Sequence, residues 1–166
     1  GRWQARQVLA QQAHRRHAST EAHTHALAML ELAVAGRDRR RQAWSQSELA
    51  LAASDLGDDA LATTHLDRAW LLAGHGADLT LQQRLAVTEA VLASARGDTA
   101  QAQRAIQRQW ALARRGHSPR QQAAALANLS DHAVKTGAPG QGLRAAEQGL
   151  ALLGADGPAG LRSTLL

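Results

Sequence analysis

The chain has 166 residues, with 19 Lys and Arg against 14 Asp and Glu for a formal charge of +5, and 45% of residues are hydrophobic; this suits one ordinary domain or a short repeat array with a buried core. It contains no Cys, Tyr or Phe and only four Trp, which excludes disulfides, thiolate metal sites and cysteine nucleophiles and favours helix packed on helix over a β-sandwich. No apolar run approaches the ~18 residues of a membrane span, and the opening Gly1-Arg2-Trp3-Gln4 has neither an initiator Met nor a signal-peptide segment, so the chain reads as a cytoplasmic piece of a longer protein.

Along the chain the elements recur with a period of forty residues. A first helix is predicted over 3–15 and a second over 19–34, with His17 at the turn and Ser19 as the cap. Gly36 then breaks the chain, Asp38 suits an N-cap, and a first helix follows over 39–55. Gly57 and Asp58 precede a second helix over 59–73, where Ala62, Leu66, Ala69 and Leu72 recur at helical spacing. The same marks return as Gly76 and Asp78 before 79–95, and as Gly97 and Asp98 before 98–114. Gly116 and Ser118, with Pro119 at the favoured first helical position, open 119–135. Gly137 precedes the last helix, 139–153, whose Gly140 and Gly142 predict a locally weak, late-forming hairpin.

The apolar positions keep this register. Ala13, Ala53, Ala93 and Ala133 fall in step, as do Leu32, Leu72, Leu112 and Leu152, and the series Ala22, Ala62, Ala102 continues into Gly142. One hairpin cannot bury its apolar face alone, so successive hairpins must share a core. Trp70 and Trp110 then fill equivalent gaps between repeats. The expected fold is an all-α stack of about four helix–turn–helix repeats, over 1–36, 37–76, 77–116 and 117–157, with 158–166 starting a further or capping helix.

Two stretches carry a family resemblance: Leu49-Ala50-Leu51-Ala52-Ala53 before Leu56-Gly57-Asp58, followed by Ala62, Leu66 and Ala69; and Ala125-Leu126-Ala127-Asn128-Leu129-Ser130 through Gly137 to Ala145-Ala146-Glu147-Gln148-Gly149-Leu150. They resemble tetratricopeptide repeats (TPR) in a variant with a lengthened inter-repeat loop, such as those beside diguanylate cyclase, kinase or DNA-binding output domains in bacterial signalling proteins. The chain departs from that family in placing Ala at the first-helix aromatic position (Ala13, Ala53, Ala93, Ala133) and in lacking the usual helix-pair proline. The resemblance implies a right-handed α-solenoid whose concave face, lined by first helices, binds a protein or peptide segment. The family's best-known ligand mode clamps a terminal carboxylate with a Lys and an Asn at two fixed positions of the first helix. Here the first position reads Gln7, Ser47, Val87 and Ala127, and the second Gln11, Leu51, Val91 and Asp131. That clamp is missing.

Family geometry places Trp44, Arg84, Val87, Val91, Asn128, Asp131 and Lys135 in the groove, with Trp44 and Arg84 as anchors of the kind found at interface hot spots. A packed Trp44 and a solvated Arg84 are the alternative. Arg37, Arg39, Arg40 and Arg41 form the densest basic cluster, three of them in a helix first turn where the macrodipole disfavours cations. Together with Arg114, Arg115 and Arg120 they could meet an acidic surface or a phosphate backbone, but no stacking aromatics are interleaved, which disfavours nucleic acid. His14, His17, Glu21 and His25 would share a helix face only without the turn at His17, so no metal site is expected. Ser130-Asp131-His132 diverge on a helix and cannot form a catalytic relay. Gly137-Ala138-Pro139-Gly140-Gln141-Gly142 lacks the Lys-Ser/Thr of a phosphate loop. The expected function is a non-enzymatic, cofactor-free scaffold or sensory module. Self-association through an uncapped end is one alternative, and recognition of nucleic acid or a small molecule by the arginine loops is another.

Overall fold

A computed structural model describes residues 1–74 and 76–154; the segment 158–166, expected to begin another helix, lies outside them. The described residues form eight α-helices and no strand. They are α1 (Arg2–Arg15), α2 (Ser19–Ala35), α3 (Arg39–Asp55), α4 (Asp59–Ala73), α5 (Leu79–Ala95), α6 (Thr99–Arg115), α7 (Pro119–Lys135) and α8 (Pro139–Leu153). From α2 onward the helix starts advance in the forty-residue register. The chain divides into two compact units, Gly1–Arg96 and Gly97–Leu166. The division falls at the turn between the two helices of the third repeat. In the first unit α1 packs on α2, α2 on α3, α3 on α4 and α5, and α4 on α5. Short turns make neighbouring helices antiparallel hairpins, and within this unit the hairpins stack in the manner of an α-solenoid. In the second unit α7 packs on both α6 and α8.

The turns explain the register. Asp38, Asp58, Asp78 and Asp98 each accept a hydrogen bond from the backbone N–H three residues on, at 2.9–3.0 Å, and Ser118 does so at 3.3 Å. Asp38 and Asp58 also donate their own N–H to Ala33 and Ala53, closing the preceding helix. One residue thus ends one helix and starts the next. The cap expected at Ser19 is not formed: α2 begins at Ser19, its N-cap is Ala18, and no side chain caps it. The turn geometry places the residue after His17 at the cap, and Ala18 has no acceptor to offer.

His17 itself has φ 56°, in the left-handed region where its register partners are Gly57 (82°), Gly97 (72°) and Gly137 (80°). A Cβ costs energy there that glycine avoids, part of it offset by glycine's greater unfolded-state entropy. His17→Gly is therefore expected to raise unfolding stability by about 0.5–1 kcal/mol in a urea titration. A loss of stability would show that the imidazole makes a compensating contact.

Alanine builds the core. Ala13, Ala53, Ala93 and Ala133 are each at most 3% exposed, and Ala22, Ala62 and Ala102 are fully buried. Their small side chains let helix backbones approach, and larger residues fill the layers between. Leu85 and Leu81 lie with Ala43 and Ala69, Leu92 and Leu66 with Ala50, Ala53 and Ala62, and half-buried Trp70 packs against both groups. Trp70 therefore occupies the seam between hairpins expected of it. At Gly142 the approach is close, since a Cβ there would lie 3.1 Å from the Ser130 carbonyl oxygen and from Val134 Cγ2. This glycine is a packing choice that brings α8 down onto α7.

Candidate functional site

Trp44 and Arg84 occupy the same register position in successive repeats. The stacking of α3 on α5 turns that equivalence into contact. The Arg84 guanidinium carbon lies 5.8 Å from the centroid of the Trp44 ring, and the Arg40 guanidinium carbon lies 5.9 Å from the same ring. Glu48, one helical turn beyond Trp44, ties the pair together. Its Oε1 accepts from Trp44 Nε1 at 3.2 Å and lies 3.0 Å from Arg84 Nη2, while Arg84 Nε donates to Ser47 Oγ at 3.4 Å. The Glu48 carboxylate is only 1% exposed, and its Oε2 is buried without a hydrogen-bond partner. Trp44 also packs against the groups around Met29 and Leu85. The ring is thus both an anchor of the fold and part of a surface, with its guanidinium partners held in place by charge and by the ring face.

The other expected groove residues divide between the units. Val87 is half-buried and Val91 is 47% exposed along α5, beside this cluster in sequence and in the same unit. In the second unit Asn128 Nδ2 donates to Gln109 Oε1 at 2.9 Å, joining α7 to α6. Asp131 and Lys135 form an exposed ion pair at 2.7 Å in the last turns of α7. Glu48 and Ser47 are the members that sequence reasoning missed. The signal was the one-turn spacing of Trp44 and Glu48 taken with the register match of Trp44 and Arg84.

Two of the four clustered arginines are spoken for. Arg40 pairs with Asp78, the cap of α5, and this hydrogen bond holds the carboxyl below its usual range and the guanidinium above its own. Arg41 Nε lies 3.3 Å from Asp38, and its guanidinium carbon is 5.5 Å from the Trp3 ring centroid. Trp3 in turn donates its indole N–H to Ser45 at 3.2 Å. These cations tolerate a helix N-terminus because tertiary partners hold them there. Arg37 and Arg39 remain exposed, as do Arg114, Arg115 and Arg120.

The histidines are placed by individual partners. His14 Nδ1 lies 2.7 Å from Asp55 Oδ2, Arg16 pairs with Glu21, and Arg6 lies 3.1 Å from His25 Nδ1. Among the described residues, no group of three or more His, Asp or Glu is placed to hold a metal ion. His65 differs in being 8% exposed, with Nδ1 donating to Gln46 Oε1 at 2.6 Å between α4 and α3. Burial, aided by the positive charge of Arg68 and His23, lowers its pKa from the ordinary 6.5. Below that ordinary value the unfolded chain binds a proton that the folded chain resists, so His65's contribution is complete at neutral pH and lost on acidification. His65→Leu is expected to flatten this part of the stability–pH curve, read from urea midpoints between pH 7.5 and 5. An unchanged slope would place the acid sensitivity elsewhere.

The fold and this cluster define the chain as an all-α protein of stacked helical hairpins with an arginine–tryptophan–carboxylate network on its first helices. Neither the protein-family models nor the curated proteins compared with it give a match.

Proposed function

We propose that this chain is a protein- or peptide-binding scaffold of tetratricopeptide type, the sensory or interaction segment of a larger bacterial signalling or regulatory protein, with an output domain such as a diguanylate cyclase beside it. The supporting observation is the partly exposed Trp44–Arg84 pair, locked by buried Glu48 and continued along α5 by Val87 and Val91. An aromatic ring and a guanidinium already held in place lose little side-chain entropy when a partner segment lands on them. The arginine-loop reading has less to work with, since Arg40 and Arg41 are engaged in the fold and only Arg37 and Arg39 of that cluster are left.

The test is capture of binding proteins by the immobilised chain, with and without nuclease, identification by mass spectrometry, and titration of the purified partner. Trp44→Ala and Val91→Asp are the informative variants, because Val91 is exposed and its replacement leaves the core alone. Both are expected to weaken the titrated complex at least tenfold, about 1.4 kcal/mol. A nuclease-sensitive signal that both variants retain would move the function to the arginine loops.

A further inference from the structure

The charges around Trp44 are layered, with the positive end outward. Glu48 is 1% exposed, whereas the Arg84 side chain that it neutralises is 20% exposed. A carboxylate set beneath a guanidinium holds it in place and leaves the cation facing solvent. Arg84 gives Nη2 to Glu48 and Nε to Ser47. A guanidinium has five N–H donors, so donors remain for an incoming acceptor. Arg40 continues the patch, with its guanidinium on the same ring and its side chain 52% exposed. Here cations outnumber their partners: Asp38 holds Arg41, Asp78 holds Arg40 and Glu48 holds Arg84, with Arg37 and Arg39 in excess.

The other half of the surface is apolar. Leu51 follows Trp44 by seven residues on α3, and Val91 follows Arg84 by seven on α5. Each therefore lies two turns along the same helix stripe. Leu51 and Val87 are half-buried, and Val91 is 47% exposed. Seven residues of helix rise about 10 Å. The surface thus runs from arginine to valine over that distance on two helices packed together inside the first unit.

We propose that the partner of this surface is an acidic protein segment. The side chain of an Asp or Glu meets Arg84 and Arg40, and an apolar side chain about 10 Å away covers Val91. In an extended segment those two residues stand three apart, at about 3.3 Å each. The proposal rests on reading this surface as the partner groove, and adds the chemistry of the segment that lands there. The occupant is acidic because the carboxylates at hand are already engaged with arginines, and the remaining positive field attracts a further anion while repelling a basic segment. The apolar half offers a phosphate backbone nothing to pair with, which sets the patch apart from a nucleic-acid site.

The test measures fluorescence anisotropy of labelled peptides blocked at both ends, so that side chains alone supply charge. One carries Glu and Leu three residues apart in a Gly-Ser background, and two others replace that Glu by Gln or Lys. The Glu peptide is expected to bind at least tenfold more tightly than the Gln peptide, and the Lys peptide more weakly still. Glu48→Gln/Arg84→Met removes the outward cation without changing the net charge, and should erase the preference for Glu over Gln. Circular dichroism checks its fold, and Arg40→Gln supplies the same readout if the double variant does not fold. Val91→Ala should weaken the Glu and Gln peptides alike and leave their ratio unchanged. Equal affinity for Glu and Gln peptides, both lowered by Val91→Ala, overturns the acidic partner and leaves the groove standing. Binding indifferent to Val91→Ala and to the double variant overturns both. A Glu peptide that does not bind by about 1 mM overturns the proposal. So does a single-stranded oligonucleotide that binds more tightly than the Glu peptide, since the arginines would then be reading phosphate.

Discussion

Arg84→Met is expected to lower the unfolding free energy by about 3–5 kcal/mol, the cost of leaving a buried carboxylate without its cation. Glu48 is 1% exposed and can recruit little water in place of the guanidinium 3.0 Å away. Removing the charge along with the cation should reverse most of that loss. The double variant Glu48→Gln/Arg84→Met keeps an oxygen acceptor for the Trp44 indole N–H and should recover at least about 2 kcal/mol over the single change, consistent with the near-neutral cost of replacing a buried ion pair as a whole. Urea unfolding of all three chains, read by tryptophan fluorescence and circular dichroism, supplies the measurement. A loss below about 1 kcal/mol in Arg84→Met would show that the carboxylate reaches solvent or another donor when its partner is gone.

This expectation changes how the candidate surface can be mapped. Arg84→Glu would set a second carboxylate against Glu48, so lost binding would report a damaged fold as readily as a damaged groove. Val91 is free of that ambiguity. Trp44→Ala lies between, because the ring both packs against Leu85's neighbours and meets two guanidinium groups. Binding data on it have to be paired with a stability measurement on the same preparation.

Most of the architecture was legible because it is local. Gly57, Gly97 and Gly137 mark turns that need a positive φ, and the four Asp caps announce the starts of α3, α4, α5 and α6 with a side-chain acceptor that sequence shows directly. The alanine series reports where backbones approach. The site was legible only by half. Equal register brought Trp44 and Arg84 together on paper, but Glu48 reads as a solvated mid-helix acid until α5 is laid across α3. Arg40 and Arg41 were opaque for the same reason: their partners Asp78 and Trp3 lie about forty residues away in opposite directions. Ala18 shows the converse failure, where a nearby serine looked like a cap and the turn geometry put an alanine there instead.

The second large effect is expected at Leu85, where truncation to Ala should cost about 4 kcal/mol, near the upper part of the 2–5 kcal/mol range for such changes. The spread in that range depends on how far the surroundings collapse into the space left behind. Leu85 is fully buried, and the residues grouped with it include Ala43, Ala69, Trp44 and Trp70. An alanine has no rotamer with which to follow a retreating neighbour. Trp44 is also held by Glu48 and the two arginines, so it cannot swing inward without breaking them. The cavity should therefore stay open and the full penalty remain. Leu85→Met, which conserves volume, should cost less than about 1.5 kcal/mol. If Leu85→Ala instead cost about 1 kcal/mol, the hairpins would have to slide together to fill the space, and a sliding contact between α3 and α5 could not hold Trp44 and Arg84 ready for a partner.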